Sequence, residues 1–308
     1  MRLVIALGGN ALITKKEKGT YGELVRNIQK TCRLLAHLSQ KYDMVVVSGS
    51  GPQIGALLLQ NELARHKVPP MPLDVLDAQL EGELGYLLSQ NLTNELRKNK
   101  IKKAVATILT QVLVDKNDKA FKNPSKPIGI FYTKNEAEKL RRKGAHIIND
   151  AGRGYRRVVA SPKPIKIIES DIIRRLIQLD TVVIACGGGG IPVVTRGNKL
   201  RGIEAVIDKD FTSSCLGRKI KASLLLILTS VPFVYLNYNK INQKVIKKMN
   251  VTEARKYSKE NHFGIGSMKP KIEAAIDFLV HGGKKVVITN LEHCLQAIRG
   301  EYGTLIMK

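Results

Sequence analysis

The sequence predicts an open α/β fold in which a mainly parallel sheet is sandwiched by helices, and three observations carry that prediction. Short apolar runs rich in β-branched residues alternate with longer amphipathic stretches. No internal repeat, low-complexity tract or Gly/Ser/Pro linker interrupts the alternation. Three of the apolar runs end in glycine-rich turns, and in such sheets ligands sit at the carboxyl ends of the strands.

The strand candidates, in order, are 2–7 (RLVIAL), 44–48 (MVVVS), 104–114 (AVATILTQVLV), 181–185 (TVVIA), 224–229 (LLLILT) and 285–289 (KVVIT). Between and after them lie helix candidates near 20–41, 51–65, 75–98, 166–178, 210–221, 251–259, 269–281 and 291–298. In the first of these, Val25, Ile28, Cys32, Leu35 and either His37 or Leu38 recur every three to four residues, which draws a mostly apolar stripe along one face. Residues 118–153 break the rhythm. They are polar, carry Pro124, Pro127 and a Phe131-Tyr132 pair, and include a basic helix candidate at 134–143, so they read as an excursion from the main body.

Composition narrows the classes of function. A chain of 308 residues that is 44% hydrophobic buries roughly 75% of its unfolded surface on folding, which excludes bulk disorder. No apolar run approaches the ~20 residues of a membrane span, and the first apolar stretch is too short and glycine-interrupted for a secretion signal, so a cytoplasmic protein is expected. Cys32, Cys186, Cys215 and Cys294 form no Cys-x-x-Cys pair and are expected to be buried free thiols. The balance of 51 Lys+Arg against 26 Asp+Glu gives a net charge of +25. Its spread along the chain, with only 5% aromatics and no Trp, argues against nucleic acid as the partner and for a field that attracts small polyanions.

The chemistry is concentrated in the turns. Gly8-Gly9-Asn10 follows the first strand, Ser48-Gly49-Ser50-Gly51-Pro52-Gln53-Ile54-Gly55 the second, and Gly187 to Gly190 the fourth. Glycine there lets backbone N–H groups approach an anion, and the helix that follows adds its positive end. Neither the Rossmann G-x-G-x-x-G nor the P-loop pattern is present, and protein-kinase signatures are missing. Three lysines stand in constrained contexts: Lys126 between prolines, Lys209 in Ile207-Asp208-Lys209-Asp210, and Lys271 after Met268-Lys269-Pro270. The six histidines show no metal-ligand spacing, and no metal-ligating residues are expected.

Taken together, Ala6 to Leu12, Gly51-Pro52-Gln53-Ile54-Gly55, Thr110-Gln111 with Val114-Asp115, Asn123 to Pro127, Gly152 to Val159, Gly187 to Val193, Val206 to Asp210, and Gly266-Ser267-Met268 with Pro270-Lys271 resemble the carbamate kinases of the amino acid kinase superfamily. The likeness runs in order over essentially the whole chain. It implies a single amino acid kinase domain, 1–308, with an N-terminal lobe (1–200) for the small acid, a protruding subdomain at 118–153, and a C-terminal nucleotide lobe (201–308). It further implies ATP or ADP and Mg²⁺ as cofactors, the Mg²⁺ held largely by phosphate oxygens and water, and a homodimer.

The resemblance also implies roles for individual residues. Lys209 and Lys271 would contact the phosphates, Lys126 would reach over from the excursion, and Asp210 would orient the lysines. Gly8, Gly9 and Asn10 would donate to the phosphoryl group, while Ser48, Gly49, Ser50 and Gly51 would line the small-acid pocket. Gly188, Gly189, Thr229, Ser230, Ser267 and Met268 would face the nucleotide. The chain departs from the family pattern at several of these points: Ser48 and Ser50 replace a His and an Asn, Glu81 adds a carboxylate in Leu80-Glu81-Gly82, Ser230 replaces an Asp, and Lys269 replaces a Gly. The leading expectation is therefore a carbamate kinase. The alternatives are a relative that phosphorylates another small carboxylate and a non-catalytic nucleotide-binding descendant.

Overall fold

A computed structural model of the chain describes residues 1–14, 17–150, 154–264 and 266–308. The apolar runs become the strands Arg2–Leu7, Asp43–Ser48, Ala104–Ile108, Thr181–Ala185, Leu224–Leu228 and Lys285–Thr289 of one eight-stranded sheet. Two short strands, Lys248–Asn250 and Thr304–Met307, complete it at one edge. From that edge the order is Lys248–Asn250, Thr304–Met307, Lys285–Thr289, Leu224–Leu228, Arg2–Leu7, Asp43–Ser48, Thr181–Ala185, Ala104–Ile108. Neighbours run parallel except Lys285–Thr289 with Thr304–Met307. Strands from the first two-thirds of the chain thus occupy one side of the sheet and those from the last third the other, meeting where Arg2–Leu7 pairs with Leu224–Leu228.

The pleat explains why the central strands are apolar throughout. In Arg2–Leu7, Leu3, Ile5 and Leu7 face one core with Ile28, Cys32 and Leu35 of helix Tyr21–Ser39 and with Leu76, Leu80, Leu84 and Leu88 of helix Leu73–Lys98. Val4 and Ala6 face the opposite core, with Leu216 and Ile220 beside helix Lys209–Lys219 and Ile272, Phe278 and Leu279 of helix Met268–Val280. Each fully buried Leu or Ile contributes roughly 1.5–3 kcal/mol, so truncating Ile5 to Ala would cost about 2–5 kcal/mol. Helix Tyr21–Ser39 begins where Thr20 and Glu23 form a capping box. Its buried stripe is entered by Leu24, with Val25 only half-buried, and continues through Leu38, whereas His37 points to solvent.

Three expectations are corrected. The run 104–114 is two strands in two sheets, broken at Leu109 and Thr110, because the Thr110 backbone N–H donates to Glu81 and its hydroxyl oxygen accepts from the Cys186 N–H. The second half, Gln111–Val114, joins a four-stranded sheet with Lys199–Gly202, Ile191–Arg196 and Pro164–Ile167. The helix expected from 166 starts only at Ser170, since Pro164–Ile167 pairs antiparallel with Gln111–Val114 and Glu169 accepts from both the backbone and the side chain of Gln111. The excursion does not close at 153: its strands Lys126–Tyr132, Ile147–Asn149 and Tyr155–Val159 form a three-stranded sheet that reaches Val159 and carries helix Lys134–Arg142. Gly152 and Arg153, part of the motif block quoted above, lie outside the described residues.

The excursion packs against the body at a pair of glycines, among other contacts. A Cβ at Gly55, in helix Gly51–Ala64, would stand 2.1 Å from the Gly129 Cα, so the two backbones touch only because both residues lack side chains. The four cysteines are free and buried. No helix among the described residues is long and apolar enough to cross a membrane.

Candidate active site

The parallel strands deliver their turns side by side at one edge. Gly8 N–H donates to Leu228 O at 3.0 Å and Gly49 N–H donates to Leu7 O at 3.0 Å, which stitches three neighbouring strand ends into a row. Gly8 is pressed onto this row: a Cβ there would meet the Leu228 carbonyl oxygen at 2.7 Å. At Gly49 the obstruction would be the stem of Lys209, 2.8 Å from the Cβ position, so the lysine crosses over the glycine.

Lys209 and Asp210 open helix Lys209–Lys219, whose N-cap is Asp208; the Asp208 Oδ1 accepts from the Asp210 N–H at 2.9 Å. Asp210, only 1% exposed, receives Lys209 Nζ on Oδ1 and Lys271 Nζ on Oδ2, the latter at 2.9 Å. Lys271 comes from the first turn of helix Met268–Val280. Lys126 comes from the excursion and places its Nζ on Asp208 Oδ2. The four residues expected to be catalytic, Lys126, Lys209, Asp210 and Lys271, are thus brought together from three separate parts of the chain. Asp208, to which the sequence reading gave no role, is the link between them. Its position directly before a helix start is the cap signal that could have revealed it.

Three lysines against two aspartates leave this buried group with one excess positive charge. Burial pushes the Asp208 carboxyl up, but Lys126, Lys271 and Lys209 together hold it far below the usual carboxylate range. Asp210 is likewise held low by Lys209 and Lys271 against burial and the repulsion of Asp208. The lysines differ: burial dominates at Lys209 and lowers its pKa, while at Lys271 Asp210 and Asp208 outweigh burial and raise it.

Beyond Gly49 the character changes. Ser48 and Ser50 are each 1% exposed, and their hydroxyls have no hydrogen-bond partner. Ser50 is the N-cap residue of helix Gly51–Ala64, yet its side chain makes no capping bond. The side-chain amide atoms of Gln53, in the first turn, are buried and unpartnered as well. The Gly187–Gly190 turn closes the far side, where Gly188 (φ +75) lies against Ser50 and Gly189 (φ +108) against the Ile207 backbone. Both conformations favour glycine, and a Cβ at Gly189 would be 2.1 Å from the Ile207 oxygen. Glu81 Oε1 and Oε2 accept from the N–H groups of Gly187 at 2.9 Å and Thr110 at 3.0 Å, clamping two strand ends. Burial pushes its carboxyl up to about 8 despite those bonds.

Thr229 and Ser230 line a different space, a cavity of about 230 Å³ shared with Ala11, Lys30, Asn290 and Leu291. Gly188 and Gly189, expected beside them, follow a strand that two others separate from Leu224–Leu228, and they belong spatially with Ser50. Ser267 and Met268 do not line that cavity either; Ser267 is the exposed N-cap of helix Met268–Val280, donating to Gly264 O at 3.2 Å, and Met268 packs on the core below. Gly9 stands in the turn beside Pro52 of the helix start, and Gly51 beside the Pro127 carbonyl of the excursion. Asn10 sits in the short helical turn Gly9–Ala11, its side chain outside the described residues.

Among the described residues no cluster of His, Cys, Asp or Glu could hold a metal ion by itself, and the carboxylates of Asp208 and Asp210 are already occupied by lysines. A divalent ion accompanying nucleotide phosphates would fit here on phosphate and water oxygens, the usual arrangement for Mg²⁺.

Comparison with known proteins follows the same lines. Residues 1–290 match the model of the amino acid kinase family. The carbamate kinase of Clostridium perfringens is 49% identical over the full length of both chains. That of Thermococcus kodakarensis is 46% identical, covering 100% of this chain and 99% of its own. The solved structure of carbamate kinase from Giardia lamblia bound to citric acid superposes with a TM-score of 0.94 at 40% identity, over 100% of this chain and 98% of that one. The same Giardia enzyme bound to AMP-PNP superposes with a TM-score of 0.91 over the same spans.

Proposed function

This chain belongs to the amino acid kinase family, and on that premise we propose that it catalyses the carbamate kinase reaction, reversible phosphoryl transfer between ATP and carbamate. In the direction of ATP formation, a β-phosphate oxygen of ADP attacks the phosphorus of carbamoyl phosphate. The bond from phosphorus to the carbamoyl oxygen breaks, and carbamate leaves with the electron pair. The phosphoryl group in flight carries negative charge on its equatorial oxygens, so the protein's task is to place positive charge and N–H donors around it.

The observation that carries this reading is the Lys209–Asp210–Lys271 arrangement, buried next to the Gly8 and Gly49 turns. Asp210 fixes two ammonium groups before substrate arrives, so little reorganisation is needed during transfer. Lys209, lying across Gly49, would meet the transferring phosphoryl group, and Lys271 the distal phosphate of the nucleotide. Lys126 would cover the site from the excursion, with Asp208 returning it to place. Gly8, Gly9 and the Asn10 amide would donate to the phosphoryl oxygens, while Ser48, Gly49, Ser50 and Gly51 would form the acceptor pocket.

On the nucleotide side, Thr229, Ser230, Ser267 and Met268 would receive ADP, whose binding is supported by the AMP-PNP complex of the Giardia relative. Gly188 and Gly189, by their contact with Ser50, support the acceptor pocket instead. Mg²⁺ would neutralise phosphate charge. The metal ion, the homodimer, a cytoplasmic location and the division into lobes at residue 200 belong to the same proposal on the strength of the family resemblance.

The test is a coupled assay for ATP from ADP and carbamoyl phosphate. Lys209→Ala and Lys271→Ala are each expected to lose about 10²–10³-fold in kcat while retaining a cooperative melt. Intact activity in both variants would sink the site assignment.

A further inference from the structure

One buried carboxyl group among the described residues has no partner at all. Asp77 is 3% exposed, on the inner face of helix Leu73–Lys98, one turn before Glu81. Of the buried carboxylates among the described residues, Asp210 holds two lysines and Glu81 accepts two backbone N–H groups, whereas both oxygens of Asp77 lack any partner. A buried carboxyl with no partner is costly, and a leucine in its place would fill the space without that penalty.

Its neighbours point to a ligand. Asp77 Oδ1 lies 4.0 Å, and Ser50 Oγ 2.8 Å, from the Cβ position of Gly188, so the carboxyl and the hydroxyl flank the same glycine. The hydroxyls of Ser48 and Ser50 and the amide of Gln53 are unpartnered in the same neighbourhood, at the start of helix Gly51–Ala64. A small molecule offering both oxygen acceptors and N–H donors satisfies such a set; one that offers acceptors alone leaves the acceptor oxygens of Asp77 and Gln53 unanswered.

We propose that Asp77 is a specificity-determining residue that pairs with the amino group of the carbamoyl substrate. The inference rests on the carbamate kinase reading. Carbamoyl phosphate carries a planar group with one carbonyl oxygen and one NH₂. A neutral carboxylic acid is its complement, its own carbonyl accepting from the N–H and its O–H donating to the carbonyl oxygen. Asp77 is suited to that form: burial first, then the charges of Glu81 and Asp74, push its carboxyl well above the ordinary range. Acetyl phosphate, in which a methyl replaces the NH₂, offers no N–H and leaves the acid half-satisfied. Sites built to hydrogen-bond a substrate group reject analogues that lack it far more strongly than apolar pockets reject a change of size.

The experiment measures kcat/KM for ATP formation from ADP with carbamoyl phosphate and with acetyl phosphate, in the wild type, Asp77→Asn and Asp77→Leu. The Asn variant keeps one acceptor and one donor in the same shape, so it should retain the carbamoyl preference within about threefold. The Leu variant should lose about 10²-fold with carbamoyl phosphate and little with acetyl phosphate. Thermal melts separate this from misfolding, because removing an unpartnered buried acid should leave the Leu variant as stable as the wild type or more so. An unchanged ratio of the two substrates in Asp77→Leu, or equal losses with both, overturns the role of Asp77 and leaves the carbamate kinase reading standing. A wild type that makes no ATP from carbamoyl phosphate overturns both.

Discussion

Two buried polar clusters lie next to each other at the strand ends and are built in opposite ways. Around Asp208 and Asp210 every charge has a partner: Lys126, Lys209 and Lys271 each rest on a carboxylate oxygen. Around Ser48, Ser50, Gln53 and Asp77 none of the side-chain polar atoms without a partner is answered by another. A fully paired network holds its geometry in the empty protein, while a set of orphans is stabilised only when something fills it. The first cluster is pre-set electrostatics and the second is a set of buried donors and acceptors without partners, which fits the proposed division between phosphoryl handling and acceptor selection.

That contrast breaks most visibly at Asp210. Asp210→Asn leaves Lys209 and Lys271 buried without a countercharge, so we expect a loss of about 3–5 kcal/mol in urea denaturation, together with loss of ATP formation. A change at the seam between the clusters should come next. Gly189→Ala must place a Cβ against the Ile207 backbone at positive φ, with an expected cost of about 2–4 kcal/mol and a lower melting temperature.

Glu81→Gln sharpens the comparison through pH. The folded Glu81 carboxyl sits at about 8 against 4.5 for the free group, so between those values the folded chain holds a proton that the unfolded chain has released. Stability conferred on the fold therefore falls as pH rises from about 4.5 to 8, by at most about 1.4 kcal/mol per pH unit. The Gln variant, which never ionises, should show a flatter melting temperature across that window; a slope identical to the wild type would disprove the assignment. Smallest is the effect of Ser50→Ala, whose hydroxyl has no partner to lose: stability should stay within about 0.5 kcal/mol, while KM for carbamoyl phosphate rises.

Much of the fold was legible because the central strands are buried on both faces and must be apolar along their whole length. Arg2–Leu7, Thr181–Ala185 and Lys285–Thr289 fall where the apolar runs place them. Thr304–Met307 and the excursion strands were not read, being short and only partly buried, so composition hardly distinguishes them from loop. The break at Thr110 depends on Glu81 and Cys186, 29 and 76 residues away, and no local pattern encodes it. The site divides in the same way. Lys126, Lys209, Lys271, Asp210 and the glycine turns stand in motifs and Asp208 carries a helix-cap signal, whereas Asp77 gains meaning only from what surrounds it in space.

The positive field of +25, the alternation of apolar runs and helices, and the family membership were fixed by residue identity and spacing, since burial and backbone freedom act locally. Which lysine meets which aspartate, and which carboxylate is left alone, was decided by the tertiary structure. Lys126 reaches Asp208 across 82 positions and Lys271 reaches Asp210 across 61. Electrostatic pairing and desolvation depend on distance in space and on the water excluded between groups, and only the folded chain sets either.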